Sequence, residues 1–190
     1  MRYILASKSP RRRELLSRLI GEFEIICAEV DEALPEGVHP REGVELLAIR
    51  KGEAVVPLTG DEALVISSDT LVEYNGIALG KPTDRADAAR MLRTLSGVCH
   101  NVHTGVAVHY KGCCYSGVSS TAVEFLPLTD EVIDDYIASG EPMDKAGSYA
   151  IQGLGSALVK GYEGDYNTVV GLSLELTERL INEAIENDKA

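Results

Sequence analysis

Residues 64–82, LVISSDTLVEYNGIALGKP, constrain the fold of this chain more than any other stretch. Two apolar runs rich in strand-forming side chains flank the polar Ser67-Ser68-Asp69-Thr70, and Asn75-Gly76 is the signature of a two-residue hairpin turn. The stretch reads as a buried strand, a polar interruption, a second apolar run and a return strand. A carboxylate within such a run costs several kcal/mol if it is buried alone. Asp69 must therefore cap a turn at a strand end, pair with a cation or hold a metal.

Strand and helix signals alternate around this segment. Tyr3 to Ser7 reads as a strand, Pro10 to Ile20 as a helix closed by Gly21, and Phe23 to Ala28 as a second strand. An acidic loop from Val30 to Pro40 leads to a helix over 42–56 whose apolar side is Leu46, Leu47, Ile49, Ala54 and Val55. Ala86 to Leu95 is an amphipathic helix. Asn101 to Tyr110 and Tyr115 to Leu126 form an antiparallel pair joined at Lys111-Gly112. Thr129 caps a short helix to Ser139, a glycine-rich stretch follows, and Leu174 to Glu186 is the last helix. No repeat or linker interrupts the series. This is an α/β chain with a mixed sheet, and its 190 residues fit one domain over 1–190 with room for two lobes.

Charge narrows the function. With 30 acidic and 18 basic residues the net charge is −12, which argues against a nucleic-acid footprint, since that needs a basic face. No apolar run approaches the ~18 residues of a membrane span. Met-Arg-Tyr-Ile-Leu-Ala-Ser is too short in its apolar part for a signal peptide, so a cytoplasmic protein is expected. Cys27, Cys99, Cys113 and Cys114 form no C-x-x-C pair and read as free thiols of a reducing compartment. His100 and His103 lack zinc-site spacing, and all four histidines are expected to be structural.

Against this acidic background Ser9-Pro10-Arg11-Arg12-Arg13 stands out. Ser as N-cap and Pro at the first position begin a helix, yet cations at a helix N-terminus are disfavoured by roughly 0.3–1 kcal/mol each. They become favourable once an anion sits between them and the free backbone N–H groups. Glu32 and Asp69 could hold Mg²⁺, which binds through one or two carboxylates plus substrate phosphates. Lys51 and the Lys81 of Gly-Lys-Pro are each unremarkable alone. No P-loop, dinucleotide fingerprint or serine-hydrolase elbow occurs. The residues together point to one small, defined anion.

ASKSPRR at the N-terminus, SDT at 68–70, GKP at 80–82, EPMDKAGSYAIQG at 141–153 and VVGLSL at 169–174 together resemble the Maf family, in order and spacing from end to end. The resemblance implies a nucleoside triphosphate pyrophosphatase that cleaves between the α- and β-phosphates. It also implies a long, curved mixed sheet flanked by helices, with two lobes around a cleft, like that of inosine-triphosphate pyrophosphatases. Position by position it makes Asp69 the proton acceptor for the attacking water, near the metal, and Glu32 a second metal carboxylate. Ser9, Arg12, Lys51 and Lys81 match the residues gathered around the triphosphate.

Arg11, Thr70 and Gln152 match the subgroup acting on dTTP and UTP. The subgroup acting on 7-methyl-GTP has an aromatic, Gln and Glu at these positions. The Gln152 amide offers both a donor and an acceptor to a pyrimidine edge. The implied cofactor is Mg²⁺ or Mn²⁺, with Co²⁺ admitted by the same oxygen chemistry; the partner is a small nucleotide, and a homodimer is expected by analogy only. A rival reading is a nucleotide-binding regulator of septum formation without hydrolysis, though such a binder has no need of a general base. Ser173, where the family usually has proline, is expected to affect only the turn into the last helix, and Arg13 is given no role.

Overall fold

The computed structural model describes residues 1–60 and 62–188. Among these residues one mixed sheet contains β1 (Arg2–Leu5), β2 (Glu24–Ile25), β3 (Ala63–Tyr74), β4 (Ile77–Leu79), β5 (Cys99–Tyr110), β6 (Cys113–Phe125) and β7 (Val159–Glu163). The order is β2-β1-β3-β5-β6-β7, with β4 paired to β3. β1 runs parallel to β2 and β3, and the remaining pairs are antiparallel. The helices are α1 (Pro10–Ser17), α2 (Pro40–Glu53), α3 (Val56–Thr59), α4 (Arg85–Leu95), α5 (Asp130–Ala138), α6 (Tyr166–Val170) and α7 (Leu174–Asn187). No helix among the described residues is long and apolar enough to cross a membrane.

The polar interruption does not break the strand: β3 is continuous over 12 residues. The reason lies in its two faces. On one, Leu64 and Ile66 pack with Leu5, Val106, Leu172 and Leu180. Farther along the same face Val72 packs with Leu92, Leu95, Phe125 and Ile133. Ser68 and Thr70 lie between these two cores, with their hydroxyls bonded to Gly171 O at 3.2 Å and Thr104 Oγ1 at 2.9 Å. A polar band thus separates two hydrophobic clusters on one side of one sheet.

The other face lies under α2. Here the expected apolar side is only partly correct: Leu46 is exposed and Ile49 half-buried, whereas Gly43, Val44, Leu47, Ala48 and Gly52 are buried. Val44, Ala48 and Gly52 come against the strands, because α2 approaches the sheet closely, while Gly43 lies against Leu34 of the preceding loop. Ser67 Oγ donates to Ala48 O at 2.7 Å. Gly105, paired with Asp69 across β3 and β5, sits where a Cβ would stand 2.4 Å from the Val44 carbonyl oxygen. α2 also ends earlier than expected, at Glu53, before the short α3 that begins one residue ahead of Pro57.

Two other boundaries differ. The second strand shrinks to Glu24–Ile25 because β1 offers it only Ile4 and Leu5 as partners. α1 stops at Ser17, and the chain continues to Ile20 in turns whose Leu19 and Ile20 amides both bond Leu16 O. Asn75 and Gly76 take φ of 51° and 77°, and Lys111 and Gly112 take 48° and 77°, so both hairpins close as the two-residue turns expected. Ser173 caps α7 by accepting from Leu176 N, so it serves the turn into the last helix.

The histidines of β5 are buried in the neutral state. Burial pushes His100 from its ordinary 6.5 down to about 4, while Nε2 shares a 2.8 Å hydrogen bond with Tyr149 Oη. His103 and His109 are pushed down by burial as well. The folded state thus binds fewer protons than the unfolded chain in this window. Stability is full above the unfolded pKa and lost as pH falls through the folded one. His100 alone is expected to remove about 3 kcal/mol of unfolding free energy between about pH 6.5 and 4. In denaturant titrations across this range, His100→Gln should show a shallower loss than the parent chain. Gly105→Ala should lower unfolding free energy at neutral pH by about 1–3 kcal/mol, because helix backbone cannot yield as a side chain can.

Candidate active site

The ladder on one edge of β3 has a gap. β1 pairs it as far as Ile66, where Ala6 N donates to Ile66 O at 2.8 Å, and β4 resumes pairing at Val72. Between them, among the described residues, the edge carries no strand. Both faces of residues 69–72 therefore open into one cleft of about 1020 Å³, large enough for a nucleotide. Its walls are the β1–α1 turn, the loop before α2, the Gly80-Lys81 turn and the 144–152 segment.

Asp69 and Thr70 leave the strand on opposite faces. Asp69 meets Lys51 of α2, whose ammonium bonds Asp69 Oδ1 and also Glu32 Oε1 at 2.6 Å. Lys51 and Asp69 are mostly buried, with side chains 16% and 11% exposed, so the pair is weakly screened and removal of Lys51 strands the Asp69 carboxylate, whereas Lys51 keeps Glu32 if Asp69 is removed. The Lys51 hydrogen bond, reinforced by the charges of Lys81 and Arg12, outweighs burial and holds the Glu32 carboxyl below its usual range.

Thr70 turns to Arg12. Ser9 caps α1 by accepting from Arg12 N at 3.5 Å, with Pro10 at the first position as expected. The Arg12 guanidinium donates to Gly171 O at 3.0 Å, Thr70 Oγ1 at 3.3 Å and Ser7 Oγ at 3.4 Å. No carboxylate pairs with it among the described residues. Burial pushes its pKa down, Asp69 and Glu32 pull it up, and Arg11 adds to the depression. Of the five N–H groups a guanidinium carries, three are committed and two are free for a ligand. Arg13 is exposed.

Arg11, Lys81 and Gln152 also line the cleft, so every residue given a catalytic, metal, binding or specificity role from the sequence reaches it. Sequence reasoning missed Lys8 and Lys145, which line it too. Lys145 pairs with the neighbouring Asp144, and both lie within the motif from which only Gln152 was drawn. Their adjacency to Ser9 and to the glycine-rich stretch was the available signal.

The 141–155 segment is no strand but a chain of 3₁₀ turns at Glu141–Asp144, Ala146–Ser148 and Gly153–Leu158. Glu141 pins it, accepting from Tyr136 Oη at 2.9 Å, Gly155 N at 2.9 Å and Leu154 N at 3.1 Å. Burial raises the Glu141 pKa, but these bonds outweigh it and hold the carboxyl low. Gly147 N donates to Gly80 O at 3.0 Å, joining the segment to the Lys81 turn. Gly147 has a φ of 65° and lies where a Cβ would stand 2.9 Å from Val72, so only glycine fits without displacement.

The comparisons agree with this architecture. The Staphylococcus aureus Ham1 protein is similar in fold, with a TM-score of 0.56 at 14% identity over all of both chains. The chain is 51% identical over 173 residues to a dTTP/UTP pyrophosphatase of Pelotomaculum thermopropionicum, covering 90% of each. It is also 51% identical over 180 residues to one of Moorella thermoacetica, covering 94% of this chain and 92% of the other. A family model described as Maf-like protein matches residues 2–184. With that span, and relatives half identical over nearly the whole length, the chain belongs to the Maf family.

Proposed function

We propose that this chain hydrolyses dTTP and UTP between the α- and β-phosphates, releasing the nucleoside monophosphate and pyrophosphate. One observation carries the reading. Lys8, Arg11, Arg12 and Lys81 line the cleft without an ion-pair partner among the described residues, in a chain of net charge −12. Uncompensated cations gathered around a helix N-terminus suit a polyphosphate. The activity named for the half-identical relatives supports the same substrate class.

Asp69 takes the proton of a water whose oxygen attacks the α-phosphorus, and the bond from that phosphorus to the bridging oxygen breaks as pyrophosphate leaves. Ser9, Arg12, Lys51 and Lys81 stabilise the charge that accumulates on the transferred and departing groups. Arg11 and Gln152 face the base, the Gln152 amide matching a pyrimidine edge. Thr70, whose hydroxyl is shared between Arg12 and Thr104, acts by fixing Arg12.

Glu32 and Asp69 would hold a divalent cation, Mg²⁺ or Mn²⁺. The donor set fits: the Glu32 and Asp69 carboxylates converge on one cation already, the Lys51 ammonium. That is the sparse oxygen set of an ion completed by substrate phosphates and water. When bound, it supplies neutralisation of phosphoryl charge and acidification of water.

Product analysis with a nucleoside triphosphate panel and Mg²⁺ or Mn²⁺ tests the reading. Pyrophosphate and monophosphate should appear from dTTP and UTP, and Asp69→Asn should lower kcat by about 10²–10⁴-fold. Orthophosphate as first product would mean attack at the terminal phosphate and overturn it. Nucleotide binding without turnover of any panel member would make the protein a regulator.

A further inference from the structure

Glu32 stands on a loop that does little to hold itself. Asp31, Glu32 and Ala33 are exposed, and the segment between β2 and α2 contains no helix or strand. The Lys51 ammonium bonds the Glu32 side chain, but a divalent cation taken up by that carboxylate competes with this bond. What holds the loop then is its backbone. Arg50, beside Lys51 on α2, donates from Nη1 to Ala33 O at 2.7 Å and to Asp31 O at 3.4 Å, the carbonyls on either side of Glu32. Asp31 Oδ1 accepts from Ala33 N at 2.9 Å, closing a turn across the same residue.

We infer that Arg50 is a positioning residue for Glu32: by fixing the backbone on both sides, it keeps that carboxylate beside Asp69 when a divalent cation binds. The inference rests on the reading of Glu32 and Asp69 as cation ligands. It has a consequence of definite sign. Arg50 is itself positive, so if it acted only through its charge, its removal would tighten cation binding. If it acts through the loop, removal weakens binding despite the lost repulsion. Partners of metal ligands typically contribute 10–100-fold to affinity.

The test uses the full chain with α,β-imido-dUTP, which resists cleavage at the scissile position, and follows free Mn²⁺ by electron paramagnetic resonance. Arg50→Ala should raise the Mn²⁺ dissociation constant about tenfold. Arg50→Lys, which keeps the charge and can reach a single carbonyl, should fall between it and the parent. In the metal-free protein, hydrogen exchange at residues 31–34 should quicken in Arg50→Ala while the α2 amides keep their protection. Glu32→Gln serves as reference. If Glu32→Gln weakens Mn²⁺ binding and Arg50→Ala leaves it unchanged or tighter, the positioning role is overturned and the cation reading stands. If Glu32→Gln has no effect, both fall.

Discussion

A carboxylate in the middle of a twelve-residue strand is tolerable only with a partner, and Asp69 has one because α2 is pressed onto the sheet. The contact of Lys51 with Asp69 depends on how near the helix lies, and that nearness depends on the absence of a side chain at Gly105, opposite Asp69 in the ladder. Ser67 reinforces it by bonding a helix carbonyl. The same helix then reaches outward to Glu32. A single element thus couples the sheet interior to an exposed loop, and the charge pattern of the cleft follows from its seating.

The opposite face of the strand is organised by what it excludes. Two apolar clusters occupy its ends, and the hydroxyls of Ser68 and Thr70 keep them from merging. Arg12 bridges α1, β3 and the turn after α6 through three uncharged acceptors, so its positive charge is left unneutralised at the boundary between the clusters. This resolves the oddity of arginines at a helix start: the position is costly in isolation and suited to an anion.

Much of this was legible in the chain, and the misses have physical causes. Hairpin turns, caps and the long antiparallel pair follow from local chemistry that tertiary packing had no reason to override. Asp69 was conspicuous because a charge in an apolar run demands an explanation. The buried side of α2 was misjudged because hydrophobicity ranks Leu46 above Ala48 and Gly52, whereas a helix lying this close to a sheet selects for small size. Lys145 and Lys8 were missed because a lysine in a loop signals only through its neighbours, the glycine-rich stretch for one and Ser9 for the other, until the fold brings it to the cleft. Arg50 was invisible for a stronger reason: it works by bonding backbone carbonyls, and no residue pattern records that.

The gap in the β3 ladder has one more consequence. Unpaired strand edges invite pairing with another chain, and natural sheets keep them short or covered. Here the open residues are recessed between β1 and the three residues of β4, inside a cleft rimmed with cations. Another strand meets the flanking backbone and the side chains of the rim before it meets free N–H and C=O groups. The Asn75-Gly76 turn that folds β4 back therefore guards against aggregation while defining one wall of the site, and a slip in that hairpin would lengthen a hidden edge into an adhesive one.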